Sequence, residues 1–236
     1  MQIAPGLHLV DGMEKGIVHA YVWERPDGKL TLIDAGMPGD APRILAFVQQ
    51  LGPGRLDRII VTHGDIDHMG GLAAIQAASG ARVICHAVEK AVVEGRQRRV
   101  MGNSLLRRAY GRAFDFVTHI FLGYRPRTPV DELVLDKQML VEGFQVIHVP
   151  GHTAGQIALY QPERGILLVA DALNNRGRAL GLPPAIATPH MDIAKDSIRK
   201  LAALKGVQLI CFGHGAPITQ NAAERLSAFA ASLDKK

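Results

Sequence analysis

Apolar residues along the chain fall into short runs separated by turns rich in glycine and polar residues. The runs at 7–10, 18–23 and 29–34 predict three strands, with Pro26-Asp27-Gly28 turning between the second and third. The spacing then lengthens and predicts a helix over 41–51, a buried strand over 58–62, a helix from Met69 to 79, a strand over 82–86 and a helix over 89–94. From 96 to 127, Val100, Leu106, Tyr110, Phe114 and Val117 recur at near-helical spacing among arginines, which predicts one or two amphipathic helices. The second half repeats the rhythm. Runs at 132–135, 145–149, 156–160 and 165–170 predict strands, followed by a loop over 173–189, a helix over 193–204, a strand over 208–212 and a closing helix over 219–233. Strands first, helices after, twice over, predict two sheets face to face with helices outside them. Loops at one edge of such a sandwich would carry the polar clusters.

Composition narrows this picture. The chain has 236 residues, 47% of them hydrophobic, which suits a single domain spanning 1–236. No apolar run approaches the ~20 residues that cross a bilayer, and the first residues lack a basic stretch followed by an apolar one. Cys85 and Cys211 lie inside apolar runs, so no disulfide framework is expected and a reducing cytoplasm fits. Net charge is +5, yet residues 96–127 hold eight arginines against one acid, Asp115. That segment alone carries +7 and the remainder −2, so basic character belongs to one insertion and nucleic acid is not the expected partner.

The stretch His63-Gly64-Asp65-Ile66-Asp67-His68 places four side chains able to bind metal at a strand-to-helix turn. Borderline divalent cations take imidazole nitrogen and carboxylate oxygen in this mixture. Three further strand ends carry the same class of group: His152 between Gly151 and Gly155, Asp171 after the 165–170 run, and His214 between Gly213 and Gly215. Each alone reads as a turn or capping residue, as does Asp34 at the end of its strand. Four strand ends with one class of ligand point to a shared centre.

Asp34, His63-x-Asp65-x-Asp67-His68, His152, Asp171 and His214 resemble the five ordered motifs of the metallo-β-lactamase superfamily, over about residues 5–220. The resemblance implies an α+β fold, a four-layered αββα sandwich, and a hydrolase with two divalent cations. It puts His63, Asp65 and His152 on one ion, Asp67, His68 and His214 on the other, and Asp171 between them. Asp34 becomes a supporting acid. Thr62 and Thr153 adjoin ligands in sequence and serve either to orient them or as structural turn residues. The family pattern has His where this chain has Asp65. Zinc is the first expectation, and the harder oxygen of Asp65 moves the preference toward iron or manganese. In the implied chemistry, water activated by the two metals attacks an ester, lactone, thioester or amide of a small molecule, with Asp67 orienting it. The Arg-rich segment would form a lid, with Arg107, Tyr110, Arg112 and Tyr124 meeting an anionic group of the substrate. A solvated helical face or a homodimer contact is the other use of that segment. An iron-dependent oxidoreductase, a phosphodiesterase or nuclease, and a binding protein that has lost activity are the alternatives on the same scaffold.

Overall fold

The computed structural model describes residues 1–10, 13, 17–52, 54–102, 109, 111–113, 116–118, 127–177 and 179–233. The chain divides into two compact units.

The first unit is built on a seven-stranded sheet whose spatial order follows the chain: β1 (Gln2–Ala4), β2 (Leu7–Leu9), β3 (Tyr21–Glu24), β4 (Leu30–Ile33), β5 (Leu56–Val61), β6 (Arg82–His86) and β7 (Glu132–Val134). β1 through β4 pair antiparallel. From β4 onward the pairs are parallel. Parallel neighbours need a crossover, and helices supply two of them. Helix α1 (Ala41–Leu51) joins β4 to β5, and helices α2 (Ile66–Met69) and α3 (Leu72–Ser79) join β5 to β6. Ile44 and Val48 of α1, and Leu72 and Ile75 of α3, are each about one helical turn apart, so each pair faces one way. They pack on Leu32, Ile59, Val61 and Val83 of the strands, in one apolar cluster. A short helix, α4 (Lys90–Val93), follows β6. Arg58 interrupts the apolar run of β5, is 5% exposed, and is held by a bidentate pair to Glu132 of β7 at 2.9 and 3.0 Å. That partner is what makes burial of a guanidinium tolerable.

The second unit holds a four-stranded sheet in the order β11-β10-β9-β8, from β8 (Gln145–His148), β9 (Ile157–Gln161), β10 (Ile166–Leu168) and β11 (Leu209–Cys211). β8, β9 and β10 form an antiparallel meander, and β10 pairs parallel with β11. Helix α5 (Met191–Ala202) makes that crossover, and helix α6 (Ala222–Ser232) closes the chain. Ile198 and Leu201 of α5 and Leu226 and Ala230 of α6 join Ile147, Ala158, Leu167 and Ile210 in a second apolar cluster.

Three differences from the sequence reading have local causes. Strand β1 was not expected, because Gln2-Ile3-Ala4 is too short to show a period. The helix expected from Met69 is two pieces, α2 and α3, broken at Gly70 and Gly71. The closing helix starts at Ala222, since Asn221 takes a left-handed φ of 51°. No helix among the described residues is long and apolar enough to cross a membrane. Within the Arg-rich segment, residues 111–113 and 116–118 are helical.

Candidate metal centre

In the first unit the polar residues gather where β4 and β5 end side by side. Parallel pairing of Ile33 with Ile60 brings Asp34 beside the end of β5, and the Asp34 amide donates to the Ile60 carbonyl at 2.9 Å. Asp34 is 3% exposed and takes φ 61°, a conformation that Asp and Asn tolerate better than most residues. Its carboxylate accepts from three donors at 2.8 Å: the Thr62 amide, the Thr62 hydroxyl and His68 Nδ1.

These bonds decide where the imidazole protons sit. A carboxylate beside an N–H only accepts, so His68 carries its proton on Nδ1 and turns the Nε2 lone pair outward. The Thr62 hydroxyl spends its proton on Asp34. It therefore accepts from His63 Nδ1, 3.0 Å away, and His63 also presents the Nε2 lone pair. Both rings are fully buried, with centroids 4.1 Å apart. His63 Nε2 lies 3.8 Å from Asp65 Oδ2, and His68 Nε2 lies 4.0 Å from Asp67 Oδ2. Asp65 precedes α2, and its carbonyl accepts from the His68 and Met69 amides at 3.0 Å, which sets the pitch that puts Asp67 and His68 on one turn. Gly71 lets this turn approach the β4–α1 loop. A Cβ there would stand 2.5 Å from the Ala35 carbonyl oxygen, closer than any side chain fits.

In the second unit, register again aligns the groups. Leu168 of β10 pairs with Cys211 of β11, so Asp171 and His214 each follow their paired residue by three positions. The ladder continues past the strands through the Val169 amide to the Cys211 carbonyl and the Gly213 amide to the Ala170 carbonyl. Asp171 Oδ2 lies 3.2 Å from His214 Nε2 and 3.8 Å from His152 Nε2. His152 comes from the β8–β9 connection and is 2% exposed. Its Nδ1 is 3.2 Å from the Thr188 hydroxyl, whose own proton goes to the Pro184 carbonyl at 2.8 Å. Thr188 must then accept, and His152 is the third imidazole with its proton on Nδ1 and its lone pair on Nε2.

Thr153 is buried, and its carbonyl accepts from the Gly151 amide at 3.0 Å. Arg112 is exposed. Arg107, Tyr110 and Tyr124 lie outside the described residues. Burial pushes the Cys85 thiol up to about 12 and the Cys211 thiol up as well, so neither offers a thiolate at neutral pH. Two residues of consequence escaped the sequence reading. Thr188 sits in a loop 36 residues from the histidine it orients, with no local signal. Arg99 is one charge among eight in the sequence of its segment, yet it pairs with Asp65.

The donors of each unit suit a divalent cation: His63 and His68 in the first unit and His152 in the second are buried imidazoles whose Nδ1 meets a hydroxyl or carboxylate, with carboxylates beside them.

Comparison with known proteins bears on the same residues. The family model of the metallo-beta-lactamase superfamily matches residues 13–214. The chain is 30% identical to a probable metallo-hydrolase of Bacillus subtilis (strain 168), over 92% of this chain and 87% of that one. It is also 30% identical to a hydroxyacylglutathione hydrolase of Ectopseudomonas mendocina (strain ymp), over 82% of this chain and 61% of that relative. Among solved structures, a metallo-beta-lactamase family protein of Thermus thermophilus superposes with a TM-score of 0.69 at 24% identity, covering 99% of this chain and 81% of that one. The metallo-β-lactamase fold that the motifs imply is the one the chain has.

Proposed function

The chain belongs to the metallo-β-lactamase superfamily, and from that premise we propose that it is a metal-dependent hydrolase acting on a small-molecule ester, thioester, lactone or amide. In this reading the two ligand sets close on one pair of cations. His63, Asp65 and His152 would hold one, Asp67, His68 and His214 would hold the other, and Asp171 would serve both. The observation that carries it is the hydrogen bonding of three imidazole Nδ1 atoms to a carboxylate or hydroxyl, which assigns their protons there and makes Nε2 of His63, His68 and His152 the nitrogen a cation would meet. Zinc suits this mixture of nitrogen and carboxylate, and the oxygen of Asp65 adds iron or manganese to the fitting ions.

Bound there, such ions supply Lewis acidity toward a carbonyl oxygen and make water a nucleophile near neutral pH. The protein's own groups do the rest. Asp67, with a side chain 27% exposed, is a carboxylate with access to solvent, and it orients the attacking water and takes up its proton. Asp34, Thr62 and Thr188 hold the imidazoles in their tautomers throughout, so no ring must turn over during the reaction.

A thioester is the first substrate class to assay, given the hydroxyacylglutathione hydrolases among the relatives. The test is a panel of thioesters, oxygen esters, lactones and phosphodiesters, run on protein reloaded with zinc, iron or manganese. The reading predicts turnover of a carbonyl substrate that disappears in H152A and D171A. Turnover of phosphodiesters alone, or activity that survives metal removal, would overturn it.

A further inference from the structure

The Arg-rich segment reaches the ligand turn through Arg99. The guanidinium is 10% exposed and the Asp65 carboxylate 13%. Arg99 Nε donates to Asp65 Oδ1 at 2.5 Å, and Nη2 donates to Oδ2 at 3.2 Å. This is a fork-on-carboxylate pair, the strongest geometry open to the two groups. Asp65 Oδ2 is at the same time 3.8 Å from His63 Nε2. The carboxylate is thus held between an imidazole and a fixed positive charge.

A carboxylate that gives both oxygens to a guanidinium has its negative charge largely neutralised and its orientation set by the arginine. A divalent cation arriving beside His63 would meet a spoken-for ligand and a like charge behind it, in a site shielded from water, where repulsion is weakly screened. The charge behind His68 has the opposite sign. Its Nδ1 donates to the Asp34 carboxylate at 2.8 Å, which makes the ring a better donor toward a cation. We infer that Arg99 is a positioning residue that makes the two cation positions unequal, weakening the one that Asp65 serves and leaving the other strong. The inference rests on the two-cation reading above and adds to it a residue and a rank order of affinities.

Metal titration tests it without reference to activity. Metal-free protein is titrated with Co²⁺, following visible ligand-field absorption, and zinc retained after dialysis against a weak chelator is counted per chain. Wild type should hold one ion tightly and a second at least tenfold more weakly. In R99M, which keeps the bulk and loses the charge, the weak position should tighten about tenfold or more and the strong one should not move. R99K serves as the second variant if R99M does not fold. A lysine keeps the charge but reaches one oxygen at a time, so it should tighten the weak position by a smaller factor.

Equal affinities in wild type, or a weak position unmoved in the variant that folds, would overturn this inference and leave the hydrolase reading standing. Binding of no ion by wild type or variants would instead overturn the hydrolase reading, and this inference with it.

Discussion

Replacing Asp34 by Asn isolates the supporting acid from every other feature of the site. The substitution conserves size, and Asn accepts the φ of 61° as readily as Asp does, so the backbone is left in place. What changes is the count of acceptors. Asp34 Oδ1 takes the Thr62 amide, while Oδ2 takes both the Thr62 hydroxyl and His68 Nδ1, all at 2.8 Å. A carboxamide has one oxygen and one donating nitrogen. If the oxygen stays with the Thr62 amide, the nitrogen faces the hydroxyl and the imidazole. The hydroxyl can rotate to accept. The imidazole can accept only by moving its proton to Nε2, which removes the lone pair that would bind metal. Loss of such a supporting contact typically lowers metal affinity about 10- to 100-fold, or ~1.4–2.8 kcal/mol. If the amide turns over instead, His68 keeps its tautomer and the Thr62 amide is left buried against an NH₂ group. That costs ~1–3 kcal/mol of stability in the metal-free protein. Competition with a chromophoric chelator measures the first outcome and urea denaturation of the metal-free protein measures the second. D34N equal to wild type in both assays would refute the tautomer argument.

Thr188→Val should remove the acceptor for His152 Nδ1 while conserving shape, and zinc affinity measured by chelator competition should fall about tenfold. Gly151→Ala should destabilise the fold by ~2–4 kcal/mol in denaturant titration, because a Cβ at φ 130° would stand 2.4 Å from the Ala194 nitrogen at the start of α5. The Arg58 hydrogen bonds hold the Glu132 carboxyl below its ordinary value near 4.5, with the charges of Arg58 and Arg82 adding to them. A group depressed on folding contributes stability above its unfolded value and loses it as pH falls toward the folded one. The urea midpoint of wild type should therefore drop more steeply than that of E132Q as pH is lowered below about 4.5, and parallel curves would contradict the pairing.

Much of this was legible in one dimension because the relevant signals are local. The stretches 59–61 and 83–85 are apolar throughout because parallel strands buried on both faces need no polar side. His152, Asp171 and His214 each follow an apolar run and sit in a turn; one alone reads as a turn or capping residue, and the repetition of one ligand class at four strand ends is what stands out. The break between α2 and α3 was hidden because Gly70 and Gly71 read as tolerable within a helix. Only the close approach of Ala35 shows that a glycine is needed at 71. Thr188 and Arg99 were hidden for a different reason. Their roles depend on contacts across 36 and 34 residues, with His152 and Asp65, and no period or motif encodes such a pairing. The departure at Asp65 was visible, but the guanidinium that answers it was not.

The central claim is that strand-end turns far apart along the chain provide one cation-binding centre. Crystals of protein purified without chelator, measured on both sides of the zinc and iron absorption edges, test it most directly. The account predicts anomalous peaks within bonding distance of His68, His214 and Asp171, with a weaker peak toward His63 and His152. Folded protein showing no peak at these side chains after soaking in zinc, iron or manganese would contradict it.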